Sequence, residues 1–389
     1  MLKKLLASSS GNKNGSSNIY MNGKEVYKMY QGAYLVYDVW NGRDFNYSYN
    51  YANQKFTFTD WKQTLNLISN TTHMIVNDDN AIVFDKNTVN KYRNYLTDIV
   101  IPYNVSLLNG SIDSMFHGAS KITNVTIDSY NLTNMNSAFY VSNYPGPAFS
   151  GPNVTDMSLA FCGCYNLIGF PVCGPNVTNM YYAYSSCNNI KTAVCGDLVT
   201  NFGYAYMGCS NLTTAACGPN VVNMYYTYSD CTNLTTAACG PNTQYMNYTY
   251  LRCYNLKETA YSPKAWEMEG TYKYCTNLET ACLYEQAYNV KNTFEGCISL
   301  TKCYIFSTRI NNAYGCFANT NTSKRLDIYV TNGSRSLDTL ISTYASYSIT
   351  GSAMTWTNDF ATNGYYYNTA YNIYIYPVND VHQKYNEIK

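Results

Sequence analysis

Cysteine, histidine, carboxylate and tyrosine side chains carry whatever chemistry this chain can do, and their spacing narrows it. All fifteen cysteines lie between Cys162 and Cys316. One series runs Cys164, Cys187, Cys209, Cys231, Cys253, Cys275, Cys297 and a second runs Cys173, Cys195, Cys217, Cys239, in steps of 22 with a single step of 23. A nucleophilic thiol needs a base beside it and a group to orient that base. The chain has three histidines, His73, His117 and His382, and none falls among the regular cysteines. A position that recurs at a fixed step cannot be a unique nucleophile. Structural zinc is not expected either, because Cys162-Gly-Cys164 is the one close pair and the C-x-x-C spacing is missing. Disulfides along the series would span about 5 Å between Cβ atoms of stacked strands, longer than the ~3.8 Å they prefer. Reduced, buried thiols are the expectation. Asp78-Asp79 and the pair Glu285 and Glu295 offer carboxylates of the kind sugar hydrolysis uses, but nothing in their surroundings sets them apart. No catalytic residue, metal or cofactor is expected.

The tyrosines are different. Tyr182, Tyr204, Tyr226 and Tyr248 recur every 22 residues, each two positions after Met180, Phe202, Met224 or Met246, and Tyr181 and Tyr225 stand beside them. On a helical segment two positions is a rotation of about 200°, which turns these rings away from a core that holds the Met side. Such a row offers flat apolar area with hydroxyl tips at low entropic cost, a surface for a glycan or a protein. The competing reading is that the rings merely cover neighbouring coils.

What positions these residues is a repeat. A further series, Phe139, Phe161, Tyr184, Tyr206, Tyr228, Tyr250, Tyr272, Phe294, Tyr314, keeps nearly the same period. Several independent ladders with one period of about 22 mean one supersecondary unit per repeat, stacked into a solenoid. Within a unit, Met224, Thr227, Tyr228 and Cys231 fall at i, i+3, i+4 and i+7, one face of a short helix. Leu234, Ala237 and Cys239 then follow a strand spacing, and Gly240-Pro241-Asn242 is turn chemistry. Strand, turn, short helix, turn is the predicted coil, and the array is placed at residues 95–320.

Composition fits that picture. The 389 residues include 50 Asn and 44 Tyr, and only 13% are charged, with 25 Lys+Arg against 24 Asp+Glu. That balance removes the electrostatic footprint of a nucleic-acid binder. No stretch approaches the ~20 apolar residues of a membrane span. The N-terminal Leu5-Leu6-Ala7 run is far short of a signal-peptide core, so Sec export is not expected.

The unit Asn-Met-Tyr-Tyr-Thr-Tyr-Ser-Asp-Cys-Thr-Asn-Leu-Thr-Thr-Ala-Ala-Cys-Gly-Pro-Asn resembles the BspA-type leucine-rich repeat. The core aromatic, the Cys before x-Asn-Leu, and Val-Thr-Asn-Met at Val177 to Met180 carry the likeness. The resemblance implies an α+β solenoid of ~22-residue coils, and a family that includes bacterial surface proteins binding host tissue or matrix. Asn/Tyr-rich versions with Cys-Gly-Pro-Asn-Val-Thr-Asn-Met also resemble tail or fibre proteins of bacteriophages.

The flanks complete the expected organisation. Residues 1–44 read as a flexible tail followed by a small β-meander, with strands at Ile19–Met21, Lys24–Tyr30 and Ala33–Val39 and a hairpin at Asn22-Gly23. This segment is similar to short N-terminal modules of phage tail proteins, which implies docking to other virion structural proteins. Residues 45–94 form an N-terminal cap, with a helix over Asp60–Ile68 started by Asp60. Residues 321–389 form an α/β cap, with strands at Arg325–Val330 and Asn372–Tyr376 and a helix over Ser336–Tyr344 N-capped by Ser336. The reading favoured by sequence is a non-enzymatic phage appendage located in the virion, a homo-oligomer there, whose tyrosine row meets a host-surface glycan or protein without membrane insertion. The alternatives are a bacterial BspA-like surface adhesin and a purely structural virion protein.

Overall fold

The computed structural model describes residues 107–127, 131–320, 323–346, 357–368 and 372–388, with short strands between residues 19 and 101. Repeated coils stack along one axis and bury a continuous column of side chains. At the centre of the column the rings of Phe116, Phe139, Phe161, Tyr184, Tyr206, Tyr228, Tyr250, Tyr272, Phe294 and Phe317 stack in order. Successive centroids lie between 5.0 Å (Phe116–Phe139) and 5.8 Å (Tyr272–Phe294) apart. The last member is Phe317 and not Tyr314, which is exposed. The coil step there is 23, as the Asn289–Asn312 bridge shows, so the period carries Phe294 to Phe317.

The short helix predicted from Met224 to Cys231 is absent. Met224, Thr227, Tyr228 and Cys231 are all buried as the stripe requires, but the segment is a run of overlapping turns. Alternate amides point to different partners. Thr227, Ser229 and Cys231 donate three residues back, to Met224, Tyr226 and Tyr228 carbonyls at 3.1–3.2 Å. Met224, Tyr226, Tyr228 and Asp230 donate instead to Tyr245, Asn247, Thr249 and Leu251 of the next coil at 2.8–3.1 Å. Half of the amides a helix would need are therefore spent between coils, and an eight-residue helix has little propensity of its own to oppose that. The turns force positive φ at Tyr182, Tyr204, Tyr226 and Tyr248 (51–58°) and at Ser186, Asp230 and Arg252 (58–62°).

The strands are also thinner than predicted. In the central coils the sheet shrinks to single bridges, Thr192–Thr214–Thr236 on one side and Asn179–Asn201–Asn223–Tyr245–Glu267 on the other. Leu234 is fully buried, but Ala237 and Cys239 are only half-buried. The core tyrosines close this gap. The Tyr206 hydroxyl donates to the Val194 carbonyl at 2.9 Å and accepts from the Val194 amide at 3.0 Å. Tyr184 treats Val172 the same way, Tyr228 treats Ala216 so, and Tyr250 treats Ala238 so. A buried backbone donor and acceptor that a strand neighbour does not satisfy is thus satisfied by a hydroxyl twelve residues on. Where the residue twelve back lies in a regular strand, as Cys282 and Ile305 do, the core ring is Phe294 or Phe317 and needs no hydroxyl.

Asparagine serves the edges. Asn179, Asn201 and Asn223 accept through Oδ1 from the amide two residues on, at 2.9–3.3 Å. Asn233 and Asn242 donate through Nδ2 to Ser210 and Pro219 carbonyls of the preceding coil, each at 3.0 Å. Each coil therefore uses several asparagines as connectors, which accounts for much of the Asn content.

At the C-terminal end the sheet becomes regular. Strands β10 (Thr280–Leu283), β11 (Lys302–Ile305), β12 (Leu326–Thr331) and β15 (Ile373–Val378) pair in parallel, and β14 (Tyr366–Asn368) and β13 (Thr357–Asn358) extend the sheet antiparallel in the order 10-11-12-15-14-13. Helix α1 (Arg335–Ser346) lies where the sequence placed it. Its N-cap is Ser334, whose hydroxyl accepts from Leu337 N at 3.3 Å, whereas Ser336 is turned inward to accept from Ile310 N at 3.0 Å. Helices α2 (Phe360–Asn363) and α3 (Val381–Ile388) follow. Upstream, β8 (Asp98–Ile101) and β9 (Asn124–Ile127) pair in parallel as degenerate coils. Nearer the N-terminus β1 (Ile19–Met21) pairs antiparallel with β2 (Lys24–Val26), β3 (Lys28–Gln31) with β4 (Tyr34–Asp38) and β5 (Tyr47–Asn50) with β6 (Lys55–Phe58), while β7 (His73–Ile75) runs parallel to β8. The helix expected over Asp60–Ile68 lies outside the described residues.

Candidate functional site

The tyrosine row is built by the turn stack. Asn179, Asn201 and Asn223 fix the start of each turn, and three residues later the backbone enters the left-handed region at Tyr182, Tyr204 and Tyr226. A single repeated conformation therefore aims every ring alike. The centroids of Tyr182 and Tyr204 are 4.3 Å apart with planes 8° from parallel, Tyr204 and Tyr226 are 5.0 Å apart at 11°, and Tyr226 and Tyr248 are 4.8 Å apart at 17°. Four rings form one stack, which corrects the picture of flat rings offered to solvent. The faces of Tyr204 and Tyr226 are spent on their neighbours. What remains outside is a half-buried strip of ring edges carrying hydroxyls. Burial pushes the Tyr182 hydroxyl up to about 12, helped by Tyr204 and Tyr181, and raises Tyr204 and Tyr226 as well. At neutral pH these hydroxyls are protonated and able to donate and accept.

The two flanking tyrosines split. Tyr181 packs edge-on to Tyr182 (4.7 Å, 83°) and to Tyr204 (5.5 Å, 78°), in the space left by Gly203. Tyr225 turns away to Tyr245 at 5.8 Å, and Tyr245 meets Trp266 at 5.5 Å. This second row, Tyr225–Tyr245–Trp266, escapes sequence reasoning because its members are 20 and 21 residues apart and no single ladder contains them. Its one sequence signal is that Tyr245 interrupts a column filled from Asn134 onward by Asn, Asp and Glu, and Trp266 one that holds Thr, Val and Gln before it.

The stack ends in charge. The Tyr248 hydroxyl donates to Glu269 Oε1 at 2.8 Å, and its ring lies where a Cβ on Gly270 would come within 2.4 Å of it, so the stack stops at a residue without a side chain. Lys291 pairs with Glu269 at 2.9 Å and Lys273 with Glu295 at 2.7 Å. Burial pulls the Glu269 carboxyl up, but the hydrogen bonds from Lys291 and Tyr248 outweigh it and hold the group below its usual range.

The other chemical candidates are dispersed. All fifteen cysteines are free. The thiols of Cys164, Cys187, Cys209, Cys231, Cys253, Cys275 and Cys297 each donate to a core carbonyl of the preceding coil at 3.0–3.1 Å. Burial pushes Cys162 and Cys164 up to about 11 and Cys209 to about 12, the opposite of what a nucleophilic thiolate needs. Glu295 is tied to Lys273, and Glu285 faces His382 at 3.8 Å, so the two carboxylates serve different partners. Asp78-Asp79 lies outside the described residues. Among the described residues no group of three His, Cys, Asp or Glu could hold a metal, and no helix is long and apolar enough to cross a membrane.

A leucine-rich repeat protein from Bacteroides ovatus is 13% identical, with 73% of this chain and 83% of that one covered and a TM-score of 0.48. A leucine rich cell surface protein from Faecalibacterium prausnitzii is 15% identical, with 55% of this chain and 61% of that one covered and a TM-score of 0.32. No curated relative matches the sequence. The family described as BspA type leucine rich repeat region matches in six copies over residues 86–213, 160–269 and 204–324, more than half of the chain. With the 22-residue coil, its core aromatic and its x-Asn-Leu step all in place, the chain belongs to the BspA-type leucine-rich-repeat family.

Proposed function

We propose that this protein is a non-enzymatic adhesin of a bacterial cell surface, which uses its solenoid as a rigid contact surface for a glycan or protein of another cell or its matrix. The observation that carries this reading is the four-ring tyrosine stack, which sets protonated hydroxyls and ring edges in a row on the coils of a BspA-type leucine-rich-repeat chain. A strip of this kind is already ordered, so binding to it loses little further side-chain entropy. The phage-appendage expectation rests on the Asn/Tyr-rich repeat, the short N-terminal apolar run and the likeness of residues 1–44 to phage tail modules. The side chains of residues 1–44 lie outside the described residues, whereas the BspA-type family match spans the coils themselves. The bacterial surface therefore takes first place over the virion.

Location separates the two readings. Intact producing cells are treated briefly with trypsin, and the released peptides are identified. Peptides from residues 95–320 released without cell lysis support the adhesin. Recovery of the chain in purified phage particles, with none released from cells, overturns it.

A further inference from the structure

A second feature lies on the strand segment of the coils, away from the tyrosine stack. A groove of about 320 Å³ opens where β10 and β11 run beneath α3. This size is at the small end of ligand sites. Its floor is Thr280 with the buried Cys282, whose amide is held by Thr259 Oγ1 at 3.0 Å. Tyr261 stands on one side, 62% exposed, set at 87° to Tyr284 with centroids 4.8 Å apart. Tyr385 of α3 stands on the other, set at 80° to Tyr304 at 5.0 Å. Edge-on packing fixes both walls without stacking them on each other.

The rim carries two opposite charges. Glu258 bridges to Thr280, and Thr280 pairs with Lys302, so the carboxylate and the ammonium flank one hydroxyl two strands apart, roughly 10 Å. Neither makes an ion pair among the described residues, since Asp327 beside Lys302 is taken by Arg325 at 2.6 Å. The charges cancel across the groove, which suits a neutral ligand. Its chemistry is that of a molecule with one apolar face and a rim of hydroxyls. The carboxylate accepts from hydroxyls, the ammonium donates to them, and the threonines do both. An extended peptide fits less well, because β10, β11 and β12 are already paired and leave no backbone edge for strand addition here.

We propose that this groove is a binding subsite for one neutral pyranose unit of a glycan. The subsite stands independently of the tyrosine stack, so either can fail without the other.

The test is saturation-transfer NMR on the full chain with glucose, galactose and N-acetylglucosamine, with N-acetylneuraminic acid as the acidic comparison. At least one neutral sugar receives saturation, and Tyr261→Ala weakens it about tenfold or more. Glu258→Gln and Lys302→Met weaken it as well. Tyr165→Ala, an exposed tyrosine on another coil, leaves it unchanged. Because Tyr261 is exposed, its variant keeps the wild-type melting temperature. Saturation of the acidic sugar alone, of no neutral sugar, or transfer indifferent to Tyr261→Ala overturns the proposal.

Discussion

The hydroxyl of Tyr228 separates two substitutions that look equally mild. Replacing it with Phe keeps the core stack but leaves the amide and carbonyl of the half-buried Ala216 without their partner. An unsatisfied buried polar group costs ~1–3 kcal/mol, so Tyr228→Phe lowers stability by that order in urea unfolding; a change below ~0.5 kcal/mol would show that the hydroxyl is not needed. The choice between Tyr and Phe from Tyr184 to Phe317 could not be read from the sequence, because it follows whether the segment twelve residues earlier is a paired strand; Phe161 departs from this, since Phe149 lies in no strand. The thiols of the series from Cys164 to Cys297 were legible as core positions from their fixed step. Cys173, Cys195, Cys217 and Cys239 keep the same step but are only half-buried, which corrects the expectation of buried thiols for that series. Their burial has a pH consequence. Cys164 and Cys217 are raised to about 11 and Cys209 and Cys239 to about 12, from 9.0. The unfolded chain releases these protons first, so the stabilisation is whole below pH 9 and is lost as pH rises towards 11–12. Each group adds a slope of about 1.4 kcal/mol per pH unit across its own window. Thermal melts should therefore fall steeply above pH 9. Native protein should react slowly with a thiol reagent, while unfolded protein without reductant yields close to fifteen free thiols. A yield below about twelve contradicts the reduced core.

The coil itself is the element whose identity the sequence half disclosed. Its period, core side and x-Asn-Leu step are all visible, but the spacing of Met224, Thr227, Tyr228 and Cys231 is shared by a helix and by a stack of turns. Only the inter-coil hydrogen bonds distinguish them, and a single sequence does not show which amides look outward. The positive φ of Tyr204 and Tyr226 follows from the turns and was equally hidden. Asn is the side chain that best tolerates this region after Gly, and Asn292 already occupies the equivalent position two coils beyond Tyr248. Substituting Tyr204 or Tyr226 by Asn should therefore remove the stacked ring without disturbing the turn. The loss of ring stacking, ~0.5–1.5 kcal/mol per pair, is partly offset by relief of the backbone. Urea unfolding should show a net change of at most ~2 kcal/mol, and a larger loss would mean that the rings chiefly hold the coils together.

Across the whole molecule, stability is a sum over coils and their interfaces. Excising residues 210–231 joins Cys209 to Thr232 in register, and the shortened chain should fold cooperatively with a smaller denaturant slope. Excising residues 210–220 breaks every column and should abolish folding as followed by far-UV circular dichroism. The same architecture makes the low charge intelligible: Asn, Thr and Tyr columns finish the surface where other solenoids would use ion pairs. On this scaffold the tyrosine strip is the proposed contact surface. Binding of the full chain to matrix-coated and mucin-coated sensor surfaces, compared with Tyr204→Asn/Tyr226→Asn, tests it most directly. The wild type should bind at least one of these surfaces, and the folded double variant should bind it about tenfold or more weakly. Equal binding by the two proteins, or none by the wild type, would contradict it.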